Sequence, residues 1–536
     1  MKDEKKEDFA GLTRRDFLYL GGWGMAGMAL AGVPQLGHGA EKKPKYGGRL
    51  RMSERYGSPG LDVHKNQEFI DYQNYSLMYH GLTEMGPMPF VEMYPQLAKS
   101  WEISPDGKEY IFPLREGIKY HHGKELDSGD VKYSIERVMN PATRSPRAFA
   151  FRWIDSVNII DKYNIKIKLK EPYAPFLTTL TRHNCSIIPA GSEPTGTKPA
   201  PGTGPFILKS FVPNDTTEYT RFDKYWEFDE NTGDRLPYLD SFFIKKIPDG
   251  MVAYTALRAG DLDFVSSPPL EIMAKAVKEK PVPGIVFDYE FPGSHWIGFN
   301  LTKPPFDNKK VRHAVSYAID RKEIVQGVFW GLGDAVNDQP FLNQSRFRIP
   351  VPEREVDYAK AKQLLAEAGY PNGLNTEILI YSVHYGVAGS QVLAGQLQKI
   401  GIHATLKVLD LAAYRALLRK GDFTIAYVIE SERYDWDDAY FMYLHSGEIN
   451  KNNYARYSNK EMDSLLEKGR IIVKREERIP IYTRIIEMVR EDLPYFYICK
   501  GAIGIAFRDY LKGFRKGFTM RLGWHGGGAK YWWLDK

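Results

Sequence analysis

The chain is 536 residues long, several times the size at which one hydrophobic core stops growing, so two or three lobes are expected and a small stapled domain is excluded. Its 73 Lys and Arg against 67 Asp and Glu leave a formal charge of only +6, which gives no polyanion-binding character, and no nucleic acid partner is expected. The two cysteines, Cys185 and Cys499, exclude every CxxC metal, redox or haem-attachment pattern; they permit one bridge, and two buried thiols are the expected outcome.

The chain opens with an address. Thr13-Arg14-Arg15-Asp16-Phe17-Leu18 leads into an uncharged stretch, residues 17–33, rich in Gly, Ala and Met. This predicts a twin-arginine export signal. The stretch falls short of the ~20 apolar residues needed to span a bilayer. Cleavage is expected after Ala40, with Ala31 as the alternative, and no Cys follows either site to carry a lipid anchor. Residues 1–40 hold five basic and five acidic residues, so the mature charge stays at +6. A soluble periplasmic product is expected.

Strand patterns follow. Leu50 and Met52 alternate with charged neighbours, Tyr110, Phe112 and Leu114 do the same, and Ile165, Ile167 and Leu169 alternate with Lys166 and Lys168. The first third is therefore expected to be largely antiparallel sheet. One helix interrupts it, with Val131, Ile135 and Val138 on one face and Pro141 as its stop. From Phe306 the period becomes helical: Val311, Ala314, Val315, Ala318 and Ile319 share a face, and Asp320-Arg321-Lys322-Glu323 reads as a capping box. Residues 376–429 then read as a βαβαβ unit, with strands at 376–381, 402–409 and 423–429 and helices at 391–400 and 411–419. Such a unit implies a parallel sheet with ligand outside the carboxyl ends of its strands.

The segment leaving the last of these strands carries Tyr434, Asp435, Trp436, Asp437 and Asp438. Acids beside an indole and a phenol suit a ligand ammonium, held by charge in a place the rings keep dry. The same residues suit a polar loop, or a helix start whose dipole Asp437 and Asp438 favour. His121-His122 has no third ligand nearby, so a surface turn is expected and no metal site. Gly202-Thr203-Gly204-Pro205 lacks the Lys-Ser/Thr of a phosphate loop and reads as a tight turn entering a strand. No HExxH, GxSxG, Walker or helix-opening GxGxxG sequence occurs, so neither an enzyme nor a bound cofactor is expected. An exported hydrolase using paired carboxylates is the alternative reading.

Several blocks in one order resemble the extracellular solute-binding proteins of family 5, the group that includes peptide- and nickel-binding components of ABC importers. They are Tyr46–Arg51 with Gly60-Leu61-Asp62, Pro95–Gly107 through Leu114–Gly123, Asp130–Arg137, Gly202–Phe206, Phe299–Asp307, Val311–Arg321 and Ala361–Tyr370. The resemblance implies an α/β, periplasmic-binding-protein-like fold of type II with three lobes. Two would be α/β lobes joined by a hinge, and the extra one mainly β. Lobe I would comprise residues 46–65, 186–295 and 494–536, lobe II residues 66–185, and lobe III residues 296–493, with hinge crossings near Trp296 and Pro494. A monomer would capture a small solute, first of all a peptide or peptide-like compound, and deliver it to the membrane subunits of an ABC permease. Arg55 and Tyr56 would line one wall of the cleft and Tyr434, Asp435, Trp436 and Asp437 the other, with Trp296 and Asn300 contributing at the hinge. Peptide-binding members usually carry an Asp-Tyr-x-Asp-Pro-like sequence at this place, with an acid on the peptide amino terminus. Here the sequence is Tyr434-Asp435-Trp436-Asp437-Asp438-Ala439, without the Pro, so that acid is not assigned between Asp435 and Asp437. Tyr434 and Trp436 suit a sugar, an opine or a metal chelate equally.

Overall fold

The computed structural model describes residues 43–66, 69–86, 92–431, 433–514 and 528–536, and the expected export signal lies outside them. The first strand, β1 (Arg49–Glu54), buries Leu50 and Met52 completely. A separate antiparallel sheet follows, built from β2 (Glu102–Ile103), β3 (Glu109–Pro113), β4 (Ile154–Asp161) and β5 (Asn164–Leu169) in the order β2-β3-β5-β4. Tyr110, Phe112, Ile165, Ile167 and Leu169 face its core, as their alternation requires. Helix α1 (Ser128–Met139) covers it with Val131, Ile135 and Val138. A capping box between Asp127 and Asp130 opens this helix, and Asn140 ends it ahead of Pro141.

The chain then returns to β1. β6 (Phe206–Val212), β7 (Thr216–Arg221) and β8 (Ser241–Lys246) form antiparallel pairs, and β9 (Phe264–Val265) follows helix α2 (Gly250–Ala259) and precedes α3 (Leu270–Lys278). β1 pairs in parallel with both β8 and β9, unlike the antiparallel reading of its sequence. The cause is topological: a long excursion separates β1 from its neighbours, and only tight hairpins impose antiparallel pairing. The turn before β6 carries bare backbone because a Cβ on Gly202 would fall 1.8 Å from the Met78 carbonyl oxygen.

The long strand β10 (Ile285–Phe299) leads to helices α4 (Lys309–Ala318) and α5 (Arg321–Phe329). Asp320 caps α5 through the Lys322 and Glu323 amides, but Glu323 accepts from Gln396 instead of closing the box. The expected βαβαβ unit is present as β11 (Leu374–Tyr381), α6 (His384–Gln398), β12 (Ile402–Leu409), α7 (Leu411–Lys420) and β13 (Ile425–Ser431), with β11 parallel to both β12 and β13. Helix α6 starts at His384, earlier than its sequence indicates. Gly386 and Gly389 weaken the helical signal there, yet close packing demands them: a Cβ on Gly389 would lie 2.4 Å from Tyr427 Oη.

Helices α8 (Trp436–Leu444), α9 (Lys460–Ile471) and α10 (Arg475–Asp492) precede β14 (Tyr495–Arg508). The strands of the two α/β lobes join one mixed sheet in the order β12-β11-β13-β10-β14-β9-β1-β8-β7-β6. β10 and β14 run antiparallel through its middle and are the two strands that carry the chain between one α/β lobe, on β1 and β6–β9, and the other, on β11–β13. Their ladder shifts register between Glu290 and Gly293 and again between His295 and Trp296. Bulges of this kind bend a strand and weaken its pairing, which suits a hinge. Cys185 and Cys499 are both buried free thiols.

Candidate functional site

A cavity of about 460 Å³ opens where the two α/β lobes face each other. One wall comes from Arg55 and Tyr56, directly after β1, with the starts of α2 and α3. The other comes from Trp330, after α5, and from His384 and Tyr385, at the start of α6. Ala502–Gly504 of the crossing strand β14 form its back. Both side walls follow the carboxyl ends of strands, as an open sheet dictates.

The groups in the cavity are mostly unspent. Arg55 has no carboxylate partner among the described residues and rests 5.8 Å from the ring of its neighbour Tyr56. Burial, and then the charge of Arg55, hold the His384 imidazole below its ordinary pKa, so it is neutral at physiological pH. Burial raises the Tyr385 phenol, which stays protonated and able to donate. Asp249 spends one carboxylate oxygen on the Met251 and Val252 amides as the cap of α2, whereas α3 and α6 begin without any side-chain cap.

The acidic segment expected on the second wall lies elsewhere. Asp435 is 4 % exposed, caps α8 through the Asp437 amide, and receives both terminal nitrogens of the buried Arg478 at 2.5 and 2.7 Å. Asp437 pairs with Arg470 at 2.9 and 3.2 Å, and burial still raises its pKa. Trp436 is wholly buried, donates to the Phe347 carbonyl and stacks on Tyr482 with centroids 5.0 Å apart. Tyr434 is buried beneath the Arg182 guanidinium. The structure therefore brings Arg55 and Tyr56 to this cavity, buries Tyr434, Asp435 and Trp436 away from it, and puts Asp437, paired with Arg470, on the lining of a second cavity. Each acid was attractive because it is charged, and each charge is already answered by an arginine distant in sequence.

Asn300 is likewise committed: its amide donates to the Gly421 and Phe423 carbonyls and its oxygen accepts from Thr302. Trp296 is buried among Tyr443, Tyr495 and Tyr497, and its indole N–H has no partner. The acidic segment does join two lobes. Asp438 accepts from Arg182 of the small β lobe at 3.0 Å, and the Ala174 amide donates to the Arg470 carbonyl at 2.9 Å. A second cavity, of about 350 Å³, lies at this joint between Trp153, Tyr173, Phe441 and Arg470.

Among the described residues no group of three or more His, Cys, Asp and Glu side chains is placed to hold a metal ion. His122 is exposed, but His121 is not the surface residue its neighbours suggest. Its ring lies 3.0 Å from the Gly204 carbonyl oxygen and accepts from the Gly202 amide, and burial lowers its pKa to about 4. No described helix is long and apolar enough to cross a membrane.

Two α/β lobes on a shared sheet, a pair of crossing strands and a cleft furnished from both sides define a binding protein that closes over a solute. The chain belongs to the bacterial extracellular solute-binding proteins, family 5, whose middle region matches residues 92–452. It is similar to heme-binding protein A of Haemophilus influenzae, 29% identical over 447 residues that cover 77% of this chain and 80% of that protein. It is also similar to the glutathione-binding protein GsiB of Salmonella paratyphi A, 28% identical over 78% of this chain and 82% of that one. Among solved structures it resembles the ABC transporter-associated periplasmic binding protein DppA of Helicobacter pylori in complex with the peptide STSA. That match has a TM-score of 0.75 and 25% identity and covers 92% of this chain and 99% of the other. The fold is the periplasmic-binding-protein-like α/β type. The protein is accordingly an extracytoplasmic solute-binding receptor of an ABC importer and not an enzyme, and the hydrolase reading gains no support.

Proposed function

We propose that the solute occupies the cavity between Arg55 and Tyr56 on one lobe and His384 and Tyr385 on the other. The observation that carries this is the pairing itself: residues from both lobes meet around one cavity beside the crossing strands. A ligand drives closure only through contacts that the closed state has and the open state lacks, so a cleft contacted from both sides is the requirement. The solute is of the size of a short peptide, glutathione or haem, the compounds named for the relatives. Trp296, Asn300, Tyr434, Asp435, Trp436 and Asp437 stiffen the lobe behind the wall.

In this reading the chain crosses the membrane by the twin-arginine route, loses residues 1–40 and works as a monomer. Lobe I spans residues 46–65, 186–295 and 494–536, lobe II 66–185, and lobe III 296–493. Thermal-shift measurements against dipeptides, oligopeptides, glutathione and haemin test the receptor's specificity. A ligand raises the melting temperature by linkage and is recovered unchanged. Stabilisation that survives a joint Tyr56→Ala and Tyr385→Ala change would remove this cleft as the site.

A further inference from the structure

Resting on the cleft assignment above, we propose that the cleft recognises its solute by a carboxylate and an apolar, ring-sized body, and not by an amine. Arg55 is the basis of the first half. Several buried or half-buried arginines elsewhere are matched: Arg137 with Asp62, Arg182 with Asp438, Arg321 with Asp338, Arg470 with Asp437 and Arg478 with Asp435. Arg55 faces a cavity that crosses from lobe to lobe, and it has no acid partner among the described residues. A guanidinium takes a carboxylate through two parallel hydrogen bonds, a stronger and more directional contact than an ammonium offers.

The imidazole across from it reinforces this choice. His384 is neutral beside Arg55, so it accepts or donates one hydrogen bond without repelling the cation. The acids of the cavity are poorly placed to hold an amine. Asp249 commits one oxygen to the α2 amides, and both it and Glu271 are exposed, where water and salt screen their charge. Of the two acids best suited to an ammonium by sequence, Asp435 is sealed against Arg478, and Asp437 is paired with Arg470 beside the second cavity, outside this cleft.

The second half rests on exposed apolar surface. Tyr56 is 57 % exposed, Met251 50 % and Trp330 43 %, and all three line this one cavity. Large apolar groups held open to water around a concave site mark a surface meant to be covered. The solute class is thus an anion with an aromatic or bulky aliphatic body, such as a peptide read from its carboxyl end or a ring system bearing carboxylates.

The test is isothermal titration calorimetry of the purified chain with the dipeptide Phe-Leu in four forms: free, N-acetylated, C-amidated and blocked at both ends. Amidation is expected to weaken binding about tenfold or more, and acetylation by less than about threefold. In Arg55→Gln, which breaks no ion pair, the four forms are expected to converge. Costly acetylation with harmless amidation, an unchanged ranking in Arg55→Gln, or binding of none of the four overturns the proposal. A Tyr56→Ala, Trp330→Ala variant keeps the two claims apart. If it loses affinity for whichever forms bind, the cleft stands even when the carboxylate preference fails; unchanged affinity sinks the cleft assignment as well.

Discussion

Arg478 holds Asp435 in a buried, two-pronged ion pair while the same carboxylate caps α8 at the Asp437 amide. A charge so enclosed is expensive to strip of its partner, because the survivor is left in a place water does not reach.

Asp435→Ala is therefore expected to cost about 3–5 kcal/mol of unfolding free energy. Guanidinium chloride titration reads the loss directly. Solute affinity of the protein that remains folded is expected to stay near wild type, since Asp435 does not line the cleft. A large loss of affinity at unchanged stability would restore Asp435 to the binding site.

Arg182 and Asp438 tie the small β lobe to α8, and the Ala174 amide is bonded across the same joint. Arg182→Met should loosen that joint alone. Amide exchange at Ala174 is expected to accelerate while exchange in β11 and β12 stays slow. Equal acceleration everywhere would mean that Arg182 supports the whole fold.

Buried histidines, His121 among them, set a pH dependence. Burial lowers His64 to about 4 and His80 and His295 to about 3, with Arg137 adding to the first and Lys500 to the last. The unfolded chain then binds protons that the folded chain refuses, so stability rises with pH through this window. The contribution is complete above pH ~6.5 and is lost as pH falls toward about 4 for His64 and about 3 for His80 and His295, roughly 3 kcal/mol or more for each ring. The urea midpoint is expected to drop between pH 7 and 4.5, less steeply in His295→Gln. A flat midpoint would mean that these rings charge without penalty.

Gly389→Ala pushes a methyl against Tyr427 Oη, where the available distance is 2.4 Å. Overpacking of this kind costs about 1–3 kcal/mol. It also displaces the start of α6, so weaker solute binding should accompany the lower stability. Wild-type affinity in this variant would separate α6 from the cleft.

The periodic parts of the fold were legible in the sequence. The alternation in β3 and β5 and the βαβαβ unit are local patterns, and both elements form where the sequence puts them. The parallel partners of β1 were not, because Leu50 and Met52 record only which face is buried and say nothing of the strand brought alongside. Half of the proposed cleft's lining was legible for a related reason. Arg55 and Tyr56 follow a strand end and no distant residue claims them. Asp435 and Asp437 follow a strand end too, but Arg478 and Arg470, more than thirty positions away, neutralise them, and no local pattern announces that. The exit of β11 obeys the same rule and leads to His384 and Tyr385; its weaker charge and its glycines concealed it.

Native mass spectrometry of the protein purified from its own cells bears most directly on the two-walled trap. Wild type should carry one non-covalent adduct of small mass, and Tyr56→Ala with Tyr385→Ala, one change on each lobe, should release it while Asp435→Asn retains it. An adduct kept by the double variant and shed by Asp435→Asn would contradict the account.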